Sequence, residues 1–160
     1  MIREYEPADA DELWALKQAF ERGLGTGTGG DEKAAVYEDK LDERYREEYL
    51  EWVGRCITED RRSVQVAERD DDVVGYVFVL PEFLAYIWDA AVLNEIFVTP
   101  EYRGTGIGDE LMEGALAYAR DQDLPLDRMV LDVDRENDRA QAFYERWDFE
   151  HWGEMVARDL

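Results

Sequence analysis

The sequence predicts a mixed α/β domain, and three observations support that fold class. Short apolar runs that favour strands alternate with stretches in which apolar residues recur every three or four positions, as on one helix face. The carboxyl-terminal half has the order strand, helix, strand, helix, strand, which is typical of α/β proteins. The 160 residues suffice for one hydrophobic core and contain no repeat or linker. We therefore expect a single domain over residues 1–160.

The amino-terminal part begins with a predicted strand over Ile2–Tyr5, and a helix follows it. Asp9 is expected to cap this helix, and Glu12, three residues later, completes a capping box. A glycine-rich segment over residues 23–30, GLGTGTGG, ends the helix and predicts a flexible loop. Because this loop follows a helix and precedes acidic residues, its G-x-G-x-x-G spacing does not indicate a dinucleotide site.

A second helical region is predicted over residues 31–58, where apolar residues recur at every fourth position. This is long for a globular helix, so the prediction leaves room for a break near Gly54. Two apolar strands, Val64–Glu68 and Val73–Leu80, follow and are separated by a turn of three aspartates. Residues 83–88 are rich in aromatic side chains, and their pattern does not distinguish a helix from a strand.

The carboxyl-terminal half contains the regular alternation of elements. A strand over Ala91–Val98 ends before a proline, and a glycine-rich turn then opens a helix with an apolar stripe. A strand over Met129–Val133 precedes a last helix, which Asn137 or Asp138 caps. A closing strand is predicted over Trp152–Arg158.

Acidic residues dominate the composition. Asp and Glu total 40 against 18 Lys and Arg, which gives a formal net charge of −22, and only three of the basic residues are lysine. Because the acidic residues are scattered, we interpret them as a solvated surface adapted to a very salty cytoplasm, where screening removes most of the repulsion. The alternative is an acidic protein that attracts basic partners. Since no basic patch is visible, we expect no nucleic-acid partner.

The scarcity of cysteine and histidine excludes several kinds of site. The single cysteine cannot form an internal disulfide. With one histidine, the chain cannot build the usual zinc sites, and a Ser–His–Asp triad would leave no second histidine. The amino terminus carries acidic residues where a signal peptide would be apolar, and no apolar run approaches the ~20 residues of a membrane helix. We therefore expect a cytoplasmic protein without a membrane partner.

The turn at residues 103–108, RGTGIG, is the strongest candidate for a ligand site. The first turn of a helix leaves backbone N–H groups without partners at the positive end of its dipole. Glycines in the turn remove side chains that would block an anion, and Arg103 adds a positive charge. The turn has neither the ending of a Walker A loop nor the glycine spacing of the dinucleotide fingerprint, and it favours phosphate binding. The alternative is a tight turn without a ligand.

These residues resemble a known family. Residues 103–108 fit the Q/R-x-x-G-x-G/A acetyl-CoA motif of the GNAT superfamily of N-acetyltransferases. Residues 93–102, LNEIFVTPEY, look like the central strand of that family and the segment that leads into the turn. Asn137, followed seven residues later by Tyr144, looks like its last motif. The resemblance covers residues 73–156.

The resemblance implies a fold and a reaction. The fold is a twisted, mostly antiparallel central sheet of about six to seven strands, flanked by about four helices. The cosubstrate is acetyl-CoA, without a metal ion, and a primary amine attacks the thioester directly in a ternary complex. We expect no covalent enzyme intermediate, because neither the cysteine nor the histidine is placed to form one.

The resemblance also implies roles for individual residues. The amides of residues 104–109 hold the pyrophosphate of CoA, and the backbone of residues 96–98 pairs with its pantetheine arm, one amide polarising the acetyl carbonyl. Tyr144 protonates the departing thiolate, and Glu95 acts as base toward the amine, directly or through water. The implied cofactor-binding residues are Ile96, Phe97, Val98, Arg103, Gly104, Thr105, Gly106, Ile107, Gly108, Asp109, Asn137 and Tyr144.

Three further expectations concern single positions. Strand alternation predicts that Glu95 points to the same side of the sheet as Phe97 and Leu93. Asp148 stands where the family usually has glycine, so we expect it to adopt a left-handed backbone conformation. Asp109 and Glu110 lie in the first turn of the phosphate-binding helix and are expected to repel the CoA phosphates.

Alternatives to these assignments belong to other classes of protein. A catalytically inactive acyl-CoA-binding sensor of the same fold is one, and a structural interaction protein is another. Tyr144 also fits a core aromatic, and Glu95 fits an acid at a strand edge. The aromatic residues of segment 83–88 fit the core, the wall of the acceptor pocket or the surface of a homodimer. A small-molecule amine and a peptide amine both remain open as acceptors, as do acyl donors other than acetyl-CoA.

Overall fold

The structure is a computed structural model that describes residues 1–27 and 40–160. The α-helices in this part of the chain are α1 Ala10–Gly27, α2 Glu43–Glu59, α3 Glu82–Ala85, α4 Ile107–Arg120 and α5 Asp138–Arg146. The strands are β1 Ile2–Glu4, β2 Val64–Arg69, β3 Asp72–Val79, β4 Ala91–Val98 and β5 Met129–Val130. The predicted mixed α/β fold is confirmed. None of the described helices has the length and apolar character needed to cross a membrane.

The limits of α1 and α2 differ from the sequence prediction. Helix α1 continues through Gly27, although a loop was predicted from Gly23. Helix α2 runs without interruption past Gly54. The rest of the predicted loop and the start of the second helical region, residues 28–39, lie outside the described part of the chain.

The strands form one sheet in the order β1-β2-β3-β4-β5. Strands β1 to β4 pair antiparallel, whereas β4 and β5 pair in parallel through only two residue pairs, Ala91 with Met129 and Val92 with Val130. Five strands in the described residues are fewer than the six to seven that the resemblance implied.

The missing strand is the one predicted over Trp152–Arg158, where the structure has no regular element. Its side chains are exposed, and β5 ends at Val130 rather than continuing to Val133. Since β5 is only two residues long, it leaves almost no ladder of backbone groups for a following strand to join. An alternating pattern alone does not form a strand, because a strand needs a partner for its hydrogen bonds.

Hydrophobic residues fill both faces of the sheet. On one face, side chains such as Phe78 pack with Leu13 of α1 and Val53 of α2. On the other, β3 and β4 pack against the apolar stripe of α4, including Leu111 and Met112. The sheet therefore separates a side covered by α1 and α2 from a side covered by α4.

The first helical turn begins earlier than predicted. Asp9 is not the cap, because its carboxylate accepts the amide of Glu6 at 2.8 Å and makes Glu6 the capping position of a short 3-10 turn before α1. Arg3 fixes the Asp9 carboxylate with two hydrogen bonds of 2.8 and 2.9 Å. The hydrogen bond from Arg3 holds the pKa of Asp9 below its usual value. Glu12 instead accepts the amide of Val73 at 2.9 Å.

The aromatic segment forms α3 and the turn after it. Phe83, Tyr86 and Trp88 are 58%, 55% and 49% exposed. This exposure removes the core interpretation of the three residues.

The acidic surface leads to a prediction about salt. Glu47 and Glu51 are exposed on the same face of α2, four residues apart, and such like-charged pairs cost a few tenths of a kcal/mol each. Because screening weakens this repulsion, we expect the melting temperature to rise between about 0.1 and about 2 M KCl. Circular dichroism measures it. The variant Glu47→Lys should be more stable than the parent at low salt, and this advantage should shrink at high salt. A flat or falling melting temperature would contradict salt adaptation.

Candidate functional site

The glycine-rich turn lies between β4 and α4 and has the backbone that its sequence predicts. Gly104 and Gly106 have φ values of 76° and 93°, in the left-handed region that side chains disfavour. A Cβ atom at either position would meet nothing within 4 Å, so the space beside the turn is open. Gly106 occupies the capping position of α4. The turn therefore presents the positive end of a helix to an open surface, which suits an anion.

Arg103 lies beside this turn. Its Nε donates to the carbonyl oxygen of Val98 at 3.0 Å, and its guanidinium lies 5.4 Å from the centre of the Phe97 ring. Burial lowers the pKa of Arg103, and the positive charge of Arg139 lowers it further. Arg139 is thus a second basic group whose charge acts on Arg103. Sequence analysis missed this residue, although it stands only two positions after Asn137 in the last motif.

The two acidic residues at the start of α4 are paired. Asp109 lies 3.1 Å from Arg146 and accepts the indole N–H of Trp147 at 2.9 Å. The hydrogen bond from Arg146 lowers the pKa of Asp109. Glu110 lies 2.9 Å from Arg69 of β2. Because each carboxylate has a cation beside it, the repulsion of phosphates expected from the sequence is largely offset.

Strand β4 contains an irregularity that changes the direction of its side chains. Glu95 pairs with Phe78, but Leu93 pairs with Val79, so Asn94 is an extra residue in the ladder. Leu93 packs on the α4 side, whereas Glu95 accepts hydrogen bonds from α1 and α2. The prediction that Glu95 shares a face with Phe97 is confirmed, because Phe97 packs in the cluster with α1 and α2. The prediction that Glu95 shares a face with Leu93 is wrong, since the extra residue shifts the alternation by one.

One edge of β4 is open. It pairs with β3 along most of its length, but β5 covers its other edge only at Ala91 and Val92. No strand of the described chain pairs with residues 93–98 on that side. The side chains of Ile96 and Val98 pack in one cluster with Ile107 of α4. An extended ligand can add to such an edge through backbone hydrogen bonds, and this edge leads directly into the glycine turn.

Tyr144 lies on α5 and packs against the same cluster. Its ring centre is 5.6 Å from that of Phe143 and 5.7 Å from that of Phe149. Burial raises the pKa of Tyr144 to about 12, although the charge of Arg139 acts in the opposite direction. No residue of the described chain hydrogen-bonds to its hydroxyl, which leaves that group available to a ligand.

Helix α5 is held at its start, at its end and against α4. Asn137 caps it, since its Oδ1 accepts the amide of Ala140 at 3.2 Å. A Cβ at Gly108 would lie 3.5 Å from the Phe143 ring, so α5 packs closely on the first turn of α4. Asp148 follows α5 with a φ of 65°, which confirms the left-handed conformation expected there.

Two predicted cofactor residues turn their side chains elsewhere. The hydroxyl of Thr105 donates to the carbonyl oxygen of Tyr102 within the turn. Ile107 is buried in the core. Only their backbone groups are therefore placed to contact a ligand at the turn.

Glu95 lies on the other side of the sheet, within a buried polar cluster. It is 7% exposed. Its Oε1 accepts the hydroxyls of Tyr49 and Tyr76, both at 2.8 Å, and its Oε2 accepts the ammonium of Lys17 at 2.8 Å. Sequence analysis found none of these three donors. The one signal for Lys17 was the scarcity of lysine, since the chain contains only three.

Comparisons with known proteins agree with this geometry. Residues 30–149 match the model of the acetyltransferase (GNAT) family. An uncharacterised N-acetyltransferase of Archaeoglobus fulgidus is 37% identical over 98 residues, which cover 60% of this chain and 63% of the relative. An uncharacterised N-acetyltransferase of Mycobacterium tuberculosis is 31% identical over 152 residues, which cover 94% of this chain and 88% of the relative.

A solved structure is similar in fold. The PaiA N-acetyltransferase of Thermoplasma acidophilum, crystallised in complex with coenzyme A, aligns with a TM-score of 0.71 and 21% identity. The alignment covers 91% of this chain and 86% of that one. The glycine turn, the open edge of β4 and the family match lead to one conclusion: the chain is an acyltransferase that belongs to the GNAT family of acetyltransferases.

Proposed function

We propose that the chain transfers the acetyl group of acetyl-CoA to a primary amine, by direct attack within a ternary complex. The observation that carries this proposal is the open edge of β4, which runs into the glycine turn. Tyr144 packs in the same cluster as Ile96 and Val98, and none of the described residues hydrogen-bonds to its hydroxyl. An extended thioester with a phosphorylated end matches both features, since its amides suit a strand edge and its phosphates suit a helix start.

The cosubstrate would lie along β4 and α4. The amides of residues 104–109 face its pyrophosphate, and Arg103 adds a positive charge beside them. The backbone of residues 96–98 pairs with the pantetheine arm, as an added strand would. Asn137 uses its carbonyl oxygen as a cap, so its amide nitrogen remains to contact that arm. The fit depends on backbone groups more than on side chains.

In the reaction, the amine nitrogen bonds to the carbonyl carbon of the thioester. The carbonyl oxygen gains negative charge and is stabilised by one amide of residues 96–98. The carbon–sulfur bond then breaks, and the sulfur leaves with its electron pair. Tyr144 gives its proton to this thiolate. With a pKa of about 12, its hydroxyl carries that proton at neutral pH, and it regains one from solvent afterwards.

Glu95 is proposed as the base that receives the proton lost by the amine. It lies on the α1 and α2 side, so the amine would approach from there while the cosubstrate occupies the open edge. Four donors already bind its carboxylate, the fourth being the side-chain amide of Asn94 at 3.4 Å, and little of it is exposed. These contacts favour transfer of the proton through a water molecule rather than direct contact with the amine.

The acceptor is a small-molecule or peptide amine. A panel of both classes, assayed for release of free CoA thiol in molar KCl, tests the proposal. We expect thiol release above the hydrolysis background with at least one amine, and none from that amine without acetyl-CoA. Binding of acetyl-CoA, measured by calorimetry, without thiol release from any amine would instead favour the catalytically inactive acyl-CoA-binding sensor.

A further inference from the structure

Among the residues that the structure describes, four charged groups form a cluster that includes Glu95. The ammonium of Lys17 lies 2.8 Å from Glu95 and 2.6 Å from Glu21. The second oxygen of Glu21 lies 3.0 Å from the ammonium of Lys40. Within the described part of the chain, the cluster thus contains two positive and two negative groups. Lys17 is the one of the two lysines that touches Glu95, and it is 4% exposed.

Aromatic rings enclose the same ammonium. It lies 5.2 Å from the centre of the Phe20 ring and 4.8 Å from that of Tyr49. Tyr45 stacks on Tyr49 at 6.5 Å, and Trp14 packs against both. Such faces attract a cation, and they also prevent it from turning toward solvent. The position of Lys17 is thus fixed by carboxylates and by rings.

The choice of lysine is unusual in this chain. Arginine supplies 15 of the 18 basic residues, and lysine only three. Arginine carries a wide planar fork, whereas lysine ends in a compact point charge that fits between two carboxylates and above a ring. At this enclosed position, the compact charge of Lys17 contacts both carboxylates and two ring faces at once.

We propose that Lys17 is a positioning residue, which keeps the Glu95 carboxylate ionised and correctly oriented on the acceptor side of the sheet. The inference rests on the proposed role of Glu95 as base. Without a cation beside it, a buried carboxyl group favours its neutral form, which cannot accept a proton. Lys17 would therefore allow Glu95 to work at pH values where a lone buried carboxyl would not.

The other groups that face the cluster point to the same conclusion. Burial works against a charged Lys17, but attraction by Glu95 and Glu21 outweighs it, so the pKa of Lys17 is raised. Burial also holds the pKa of Tyr49 and of Tyr76 well above the ordinary value, so both hydroxyls keep their protons. Among these groups, Lys17 is the cation that contacts Glu95. Its removal therefore leaves Glu95 without a positive charge beside it.

The test compares the pH dependence of kcat/KM for the parent, Lys17→Met and the matched control Lys40→Met, between about pH 5.5 and about pH 9 at fixed molar KCl. For Lys17→Met we expect rates near those of the parent at the alkaline end. Below a new midpoint they should fall about tenfold for each pH unit, because Glu95 is then neutral. Lys40→Met, which removes a cation that lies 3.0 Å from Glu21 and 5.3 Å from the centre of the Tyr45 ring, should keep the pH profile of the parent.

A second variant keeps the test decisive if Lys17→Met alone does not fold. Lys17→Met combined with Glu21→Gln removes one charge of each sign, and it should show the same new acidic limb. A uniform decrease at all pH values, or an unchanged profile, would overturn the inference.

A separate measurement distinguishes this inference from the proposed function. If the parent turns over no amine, the proposed function fails. Urea unfolding then tests Lys17 alone: the stability deficit of Lys17→Met should grow as pH rises, since folding would bury an uncompensated carboxylate. A deficit independent of pH would show that Lys17 does not keep Glu95 ionised.

Discussion

Tyr144→Phe is expected to lower kcat by ~10²-fold while the fold and the affinity for acetyl-CoA stay close to those of the parent. The ring contacts with Phe143 and Phe149, at 5.6 and 5.7 Å, are kept, and only the hydroxyl is lost. Without that proton donor, the sulfur must leave as an unprotonated thiolate. Steady-state kinetics with the best amine of the panel measures the effect.

Tyr118→Phe is the matched control for this variant. Tyr118 is buried near the other end of α4, away from the glycine turn, so the loss of its hydroxyl should not change kcat. The parent should also lose activity at alkaline pH as Tyr144, with its pKa of about 12, begins to lose its proton. If Tyr144→Phe has the kcat of the parent, Tyr144 is not the proton donor and its role is structural only.

Gly106→Val is expected to weaken acetyl-CoA binding by ~10²-fold. The branched side chain would enter the open space beside the turn, where the phosphates must approach. It would also oppose the left-handed backbone, with its φ of 93°. Hydrogen bonds to charged groups contribute about 1.5–3 kcal/mol each, so losing one or two of them accounts for this change. Calorimetric titration with acetyl-CoA measures it.

The control for Gly106→Val separates backbone strain from blocked binding. Asp89→Val places the same side chain at another positive φ, 56°, just before the opposite end of β4. Both variants should lose stability in urea, by about 1–2 kcal/mol for a left-handed position. Only Gly106→Val should lose affinity. Equal affinities of the parent and Gly106→Val for acetyl-CoA would refute the assignment of the phosphate-binding turn.

Elements fixed by local patterns were predictable from the sequence. The strand Ala91–Val98 has the predicted limits, because an apolar run ends there at a threonine and a proline. Helix α4 begins where three glycines meet an apolar stripe, and Asn137, one of the two predicted caps, caps α5. These features depend on neighbours within a few residues, and those neighbours are visible in the sequence.

Features that depend on distant contacts were not predictable in the same way. The extra residue at Asn94 exists because β3 and β4 change register there, and no alternation within one strand reveals it. The cap at Glu6 depends on Arg3, which fixes Asp9 from β1. Three of the donors to Glu95 come from α1, α2 and β3, up to 78 positions away in the chain. Their meeting is a result of packing.

The open edge of β4 makes association between copies of the chain easier in the concentrated salt that we expect to stabilise the fold. An unpaired strand edge is a template for pairing with another copy, and residues 93–98 are mostly apolar. At low salt, a net charge of −22 keeps copies of the chain apart. In molar KCl the screening length falls to ~3 Å, so this protection weakens under the conditions that favour the folded state. We therefore expect the cosubstrate, by covering the edge, to keep the protein dispersed in concentrated salt.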